Sequence, residues 1–560
     1  MTVDAASAGL LAAANSWRDQ DPDATSRAEL DDLVTAAAAG DAHAHAALAD
    51  RFSARLEFGT AGLRGELGAG PRRMNRVLVT QAAAGLAAYL LARDPHPSIV
   101  IGYDGRRNSE VFARDTATIM AGAGVTTTLL PRHLPTPVLA FAVRHLDTSA
   151  GVMVTASHNP ANDNGYKVYL GGADQGSQIV PPEDGLIAAE IARVSAVSIT
   201  DLPRSTDFIV ADDTILDEYV RQTATIGHPA AAVSFVYSAM HGVGWETAKL
   251  VFEAAGFGTP AVVTEQIEPD AAFPTVAFPN PEEPGAMDLT LARALEVGAD
   301  LAIVNDPDAD RLAVAVPGRD GVWRRLSGNE VGYLLGWRAA ERAAAGSATE
   351  GGTLAASIVS SPALRAIAAA YGLDYEDTLT GFKWISRAEN LLYGFEEALG
   401  YLVDPHIVRD KDGISAAVDF LSLASELKAA GRSIDDHFDD FADRFGAFAS
   451  SQISLRVDDL SRIAHMMDAL RATLPTTIGA VAVDRIDDFI GGFDQYPAGD
   501  ILRIHLSGGS RVIVRPSGTE PKLKVYIDAS SAIGTAAERR AAAQSVVAEL
   551  DAGMRRLLEA

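Results

Sequence analysis

From about residue 97 onward, short β-branched apolar runs alternate with longer stretches whose apolar residues recur three and four positions apart. An apolar run bounded by turn formers is a buried strand, and the three-four spacing is one face of a helix. On this basis 97–102 (PSIVIG) is a strand, 108–122 a helix, 125–130 a strand, 136–145 a helix and 151–155 a strand, with 166–170 returning as another. The most apolar long stretch, 77–92, reads as a buried helix and is too short to span a bilayer. Residues up to about 58 are Ala-rich and helical, with no evident chemistry.

The alternation resumes at 232–237 (strand), 287–297 (amphipathic helix) and 301–304 (strand). It resumes again at 353–359 (strand) and 362–371, a helix closed by Gly372. Such alternation predicts βαβ-type sheets with helices on both faces. The last hundred residues differ. Strands at 452–457, 501–506, 511–514 and 523–528 are joined by short turns, and a long helix follows at about 535–558. Strands with segregated helices predict an α+β domain there. No short-period solenoid repeat is present.

Charge and cysteine content narrow the function classes. With 47 basic and 74 acidic residues among 560, the net charge is −27. A strongly acidic body argues against a nucleic-acid partner and against anionic lipid, while leaving room for a locally basic pocket that takes a phosphorylated small molecule. The absence of cysteine excludes disulfides, thiolate catalysis, thiolate zinc sites and iron–sulfur clusters. The N-terminus has neither the basic start nor the apolar core of a signal peptide, so a cytoplasmic protein without a membrane segment is expected.

Four loops carry candidate chemistry. Thr155-Ala156-Ser157-His158-Asn159-Pro160 follows the apolar strand GVMV, which puts Ser157 at a strand end, where α/β folds place ligands. Ser157 is a candidate nucleophile or phosphoryl carrier and His158 a possible donor beside it; the plain alternative is a polar Asn-Pro turn. Asp306-Pro307-Asp308-Ala309-Asp310-Arg311 lies between LAIV and LAVAV. Carboxylates at alternate positions can converge on one hard cation, which suits Mg²⁺. A calcium EF-hand does not fit, because Arg311 and Pro317 stand where Gly and Glu are required and the flanks are strands. Gly394-Phe395-Glu396-Glu397-Ala398-Leu399-Gly400 offers adjacent acids to sugar hydroxyls, or simply a solvated face. Arg515-Pro516-Ser517-Gly518-Thr519-Glu520-Pro521 offers hydroxyls, backbone N–H groups and a guanidinium to a phosphate, or is a hairpin turn. The Gly-rich segment FGTAGLRG (58–65), alone, is only a flexible loop ending in a cation.

Together and in this order, the loops resemble the α-D-phosphohexomutase superfamily, from about Phe58 to Asp528. TASHNP with NGYK resembles its phosphoserine loop, DPDADR its metal loop, GFEEALG its sugar loop and RPSGTEP its phosphate loop. FGTAGLRG and GYDGR (102–106) are also similar to family segments. FGTAGLRG, TGFKWI and GFEEALGY most resemble the longer phosphoglucomutase/phosphopentomutase branch.

The resemblance implies an α/β fold of three related domains, with mixed sheets and flanking helices, plus a smaller C-terminal α+β domain. The implied divisions are 1–205 (extension and phosphoserine loop), 206–317 (metal loop), 318–445 (sugar loop) and 446–560 (phosphate loop). It implies that Ser157 carries a phosphoryl group and that Asp306, Asp308 and Asp310, with a phosphoserine oxygen, hold one Mg²⁺. Arg311 would pair with that phosphate, and Arg64 and Lys167 would lie beside the reacting hydroxyl. Glu396 and Lys383 would recognise the sugar, and Arg515, Ser517, Gly518 and Thr519 the other phosphate. The implied reaction interconverts α-D-glucose 1-phosphate and glucose 6-phosphate through glucose 1,6-bisphosphate. Mannose or pentose phosphates, or simple phosphate hydrolysis, are the rivals. A monomer or homodimer is expected. Two departures from the family pattern stand out: Ala398 replaces a serine found in many members, which removes one hydroxyl contact, and Glu520 sits beside the expected dianion.

Overall fold

In three successive sheets a buried strand, hydrogen-bonded in parallel to its neighbours, turns back through a loop into an antiparallel partner. These pairs are Ala150–Val154 with Asp163–Leu170, Leu301–Asn305 with Leu312–Pro317, and Leu391–Glu396 with Gly400–Leu402. The incoming strands are entirely or nearly entirely buried, which accounts for their continuous apolar runs. The computed structural model describes residues 5–346, 351–457, 460–517 and 522–559.

The first sheet runs in the order Leu63–Glu66, Asp163–Leu170, Ala150–Val154, Ser98–Tyr103, Thr126–Leu129, Ile209–Val210. The second centres on Leu301–Asn305 and Phe235–Ser238, in parallel, and the third on Thr353–Ser357 between Asp374–Thr378 and Leu391–Glu396. The last is a six-stranded antiparallel sheet backed by the helix Ala536–Glu559. The expected class, three α/β units and a C-terminal α+β unit, is what the chain adopts. The helix at Arg76–Leu91 is buried on nearly every side, as its composition requires. Helices Ala5–Gln20, Ala24–Ala38 and Ala42–Phe52 form a small bundle whose Ala14, Leu30 and Leu48 pack with Ala69, Val77 and Ile199 of the first α/β unit.

Several strand limits differ from the sequence expectation, each for a tertiary reason. The strand expected at 353–359 ends at Ser357, because Ile358 and Val359 leave the sheet to pack with Phe489, Tyr496, Ile513 and Tyr526 of the last unit. The strand expected at 452–457 begins at Ala447, since it pairs along its whole length with Lys522–Ser531. The strand expected at 232–237 is Phe235–Ser238, with Asp300 Oδ2 accepting the Ser234 N–H just before it. Segment 58–65 is more than a flexible loop: it closes a Gly59–Gly62 bridge and continues into the edge strand Leu63–Glu66.

Candidate active site

Ser157 emerges from the central strand of the first sheet in a left-handed conformation, φ 53°, and is 2% exposed. Its N–H donates to Thr155 Oγ1 (2.8 Å), and its Oγ lies 3.0 Å from Asp306 Oδ2 and 3.1 Å from His158 Nδ1. Burial, with the charges of Arg311 and Arg64, holds the His158 imidazolium well below the usual histidine range, so the ring is neutral near pH 7. Lys167 lies opposite Met153 on the returning strand. Arg64 lies opposite Gly165, and its guanidinium donates to Asn159 Oδ1 (3.2 Å). The close approach of these strands requires Gly62: a Cβ there would meet the Tyr166 carbonyl oxygen at 1.8 Å, and φ is 73°.

The loop Asp306–Asp310 faces Ser157 from the second unit. All three aspartates are fully buried, and one oxygen of each lies within 4.8 Å of the others. Ala309 at φ 55° makes the turn that lets Asp308 and Asp310 point the same way. Lys167 Nζ binds Asp308 Oδ2 (2.7 Å) and Asp310 Oδ2 (2.9 Å). Asp308 Oδ1 and Asp310 Oδ1 are buried with no hydrogen-bond partner among the described residues. Buried carboxylate oxygens without partners are costly unless a cation meets them, so the donor set fits a hard divalent ion such as Mg²⁺. Burial and the charges of Asp308 and Asp310 drive the Asp306 carboxyl well above its usual range. Against burial and the charge of Asp310, Lys167 keeps Asp308 low. Against burial, Lys167 and Lys411 keep Asp310 low.

The third unit supplies the opposite wall. Arg311 bridges backbone-to-backbone with Gly400, and its Nη1 donates to the Ala398 carbonyl (2.6 Å). Its Nε stands 4.0 Å from Asp306 Oδ2 and 3.9 Å from Asp310 Oδ1, so this cation ties the aspartate loop to the loop at 394–400. The two glutamates have different surroundings. Glu397 Oε2 accepts from Ser357 Oγ (3.1 Å) and Ser360 Oγ (3.2 Å), which anchors it to the sheet. Both glutamates line the cleft, and Glu396 is raised by burial against the pull of Lys411 and Arg311. Lys383 Nζ reaches across to Thr60 Oγ1 of the first unit, and Arg515 Nη1 donates to Thr380 Oγ1. Arg515 Nε is buried without a hydrogen-bond partner among the described residues. Ser517 lines the cleft and its N–H closes the hairpin on the Lys522 carbonyl (2.8 Å). Gly518, Thr519 and Glu520 lie outside the described residues. The four units thus surround one cleft of about 970 Å³.

Compared with known proteins, the chain matches the descriptions of phosphoglucomutase/phosphomannomutase α/β/α domains I, II and III over 55–197, 217–319 and 327–445. The C-terminal domain of the same family matches over 453–544. The chain belongs to the phosphoglucomutase/phosphomannomutase family. It is 55% identical over 486 residues to a probable phosphomannomutase of Haemophilus influenzae, covering 87% of this chain and 98% of that protein. It is 36% identical to a mouse phosphopentomutase, covering 85% and 84%. A crystal structure of a phosphoglucomutase/phosphomannomutase family protein from Burkholderia thailandensis superposes with a TM-score of 0.68 over 90% of this chain and 97% of that one. At 18% identity, that likeness concerns the fold alone.

As a member of this family the chain is a phosphosugar mutase, an isomerase that works by phosphotransfer. Two residues that sequence reasoning passed over hold the aspartate cluster: Lys411, which lines the cleft, and Thr136, which does not. Lys411, 7% exposed, pairs with Asp310 Oδ2 (3.1 Å) and Asp410 Oδ1 (3.5 Å); burial opposes its charge, and Asp310, Asp410 and Glu396 hold it protonated. Its only signal was a lysine flanked by two aspartates just before a helix. Thr136, fully buried at the start of helix Thr136–His145, donates to Asp308 Oδ2 (2.6 Å), and nothing in its local sequence marks it. Among the described residues no helix is long and apolar enough to cross a membrane.

Proposed function

We propose that this mutase interconverts α-D-glucose 1-phosphate and glucose 6-phosphate, with Ser157 as the phosphoryl carrier and glucose 1,6-bisphosphate as the intermediate. The observation that carries the reading is a cleft lined by the cationic groups of Arg64, Arg311, Lys383, Lys411 and Arg515, adjoined by a buried cluster of the Ser157 hydroxyl, Asp306, Asp308, Asp310 and Lys167 that contacts it through His158, Arg311 and Lys411. On an acidic protein, this concentration of positive charge is a phosphate site.

Phosphate cannot pass directly between the two ends of one bound hexose, because the ends are too far apart. A carrier resolves this. The Ser157 Oγ–phosphorus bond breaks as a bond forms from the free sugar hydroxyl to phosphorus. The hydroxyl proton ends on the serine oxygen, with neutral His158 3.1 Å away to relay it. The bisphosphate then turns over, and its other phosphate returns to Ser157. Asp306, Asp308 and Asp310 would hold Mg²⁺, which, when bound, offsets charge on the transferred group. Arg64 and Lys167 orient the reacting end. Glu396 accepts hydroxyls of the ring, Lys383 meets its far side, and Arg515 and Ser517, with Gly518 and Thr519, take the non-reacting phosphate. The four functions fall to the four units in chain order, close to the divisions 1–205, 206–317, 318–445 and 446–560, except that Ile209–Val210 pairs into the first sheet and Trp323–Arg325 into the second.

Glucose, mannose and pentose 1-phosphates compete for this reading. An equal mixture with Mg²⁺ and a trace of glucose 1,6-bisphosphate, followed by phosphorus NMR, separates them. Conversion of glucose 1-phosphate first supports the proposal, and faster conversion of mannose or ribose 1-phosphate replaces the sugar. Inorganic phosphate as the sole product would make the protein a hydrolase.

A further inference from the structure

The segment GYDGR has no role in the scheme above, yet its arginine lies directly beneath the nucleophile. Arg106 has a side-chain exposure of 1%. Its Nη2 donates to the carbonyls of Ser157 (2.6 Å) and Asn159 (2.6 Å). Its Nη1 donates to the carbonyls of Pro160 (2.8 Å) and Asp163 (3.2 Å). The remaining donor, Nε, faces Asp104 Oδ2 at 3.4 Å. Asp104 is itself held by the Ser109 hydroxyl (2.6 Å) and the Arg106 N–H (3.0 Å). Phe273 of the second unit covers the guanidinium, its ring centroid 4.9 Å from Cζ.

Both terminal nitrogens of one planar fork therefore donate twice, and four carbonyls spread over residues 157–163 converge on it, while Nε is ion-paired with Asp104 without a hydrogen bond. The ladder of this strand pair stops at Met153–Lys167 and the edge strand reaches only Asp163, so no strand pairing holds residues 157–160. It does define where the Ser157 backbone sits while that residue holds a left-handed φ of 53°, a conformation a serine keeps only when its surroundings impose it. Only arginine has the donors and the rigid spread for this. A lysine keeps the charge beside Asp104 but offers three donors from a single point.

We infer that Arg106 is a positioning residue for phosphoryl transfer: it fixes the carbonyls of loop 157–163 and thereby aims the Ser157 oxygen, without touching the substrate. The inference rests on Ser157 being the phosphoryl carrier. Since displacement of a reacting group by about 1 Å costs on the order of a hundredfold in rate, Arg106→Lys should lower kcat by about 10- to 100-fold and leave KM for the sugar phosphate within about threefold.

The test compares Arg106→Lys with wild type for kcat, KM, thermal midpoint and hydrogen exchange by mass spectrometry. Ser157→Ala is assayed in parallel. The expected result is a loss confined to kcat, with faster exchange confined to residues 157–163. A kcat within about threefold of wild type overturns the inference, and so does a loss accompanied by faster exchange throughout the first unit, which would make Arg106 merely structural. If Arg106→Lys does not fold, Asp104→Asn carries the test, because it frees the guanidinium while leaving it in place. A fall in kcat alone then supports the inference, and unchanged kinetics overturn it. An active Ser157→Ala protein would remove the carrier reading itself. An inactive one beside a fully active Arg106→Lys would overturn only the positioning role.

Discussion

The hydroxyl of Thr136 lies 2.6 Å from Asp308 Oδ2, although the two residues belong to different domains and are 172 positions apart. The Thr136 N–H also donates to the Asp308 carbonyl (2.9 Å). With Lys167 on the same carboxylate oxygen, Asp308 Oδ2 is fully engaged and Oδ1 is left for a cation. Thr136→Val keeps the shape and removes the donor. Groups that orient metal ligands typically contribute about tenfold or more in affinity. The variant should therefore bind Mg²⁺ about tenfold more weakly by isothermal titration calorimetry, with its fold unchanged by circular dichroism. Undiminished Mg²⁺ affinity would show that Lys167 alone orients Asp308.

Ser157→Ala removes the proposed carrier. Its mutase rate should fall below about a thousandth of wild type, and intact-mass spectrometry should find no phosphoryl group after incubation with the bisphosphate. Substantial residual activity would move the nucleophile elsewhere.

Gly62→Ala tests the close approach that positions Arg64. The new methyl meets the Tyr166 carbonyl, and alanine resists the φ of 73°. The substitution should cost at least about 2 kcal/mol and lower the thermal midpoint. Because Arg64 follows two positions later, kcat should drop as well. An unchanged midpoint would mean that the strand is free to withdraw.

His437 sets an acid limit on stability. Its ring stacks on Trp337 (centroids 4.4 Å apart, planes 2° from parallel), and burial lowers its pKa from 6.5 to about 4 against the pull of Asp440. A histidine whose folded pKa is depressed contributes fully above its unfolded value and loses that contribution as pH falls toward the folded value. The loss falls between about pH 6.5 and about pH 4 and reaches about 2 kcal/mol near pH 5. Wild type should therefore lose more of its thermal midpoint between about pH 7.5 and about pH 5 than His437→Phe does. Parallel losses would refute the assignment.

Local pattern was enough for much of this protein. Apolar runs between turn formers located the central strands, because those strands are buried on both faces and tolerate few polar residues. Alternating carboxylates between two such runs marked the metal loop, since three acids set in a core need a counter-charge. Short-range chemistry of that kind is written in consecutive residues. The hairpin of Leu391–Glu396 with Gly400–Leu402 was less legible. Its strand Gly400–Leu402 is only three residues long, and its two glutamates are told apart by distant partners: Ser357 and Ser360 capture Glu397, while Lys411 and Arg311 face Glu396.

What the sequence by itself determined was the class of fold, the acidic body and the residue types of each loop. What only the tertiary structure decided was their convergence. Lys167, Thr136 and Lys411 lie about 100 to 170 positions from the aspartates they support; Lys167 stands in NGYK and Lys411 between two aspartates, but neither pattern tells which aspartate is reached, and Thr136 carries none, because a hydrogen bond closed between domains constrains neither partner's neighbours. Arg106 stood in a motif visible in the sequence, but its work became visible only when four carbonyls of a distant loop were found on its guanidinium. Backbone carbonyls belong to every residue, so no choice of side chain records where they point.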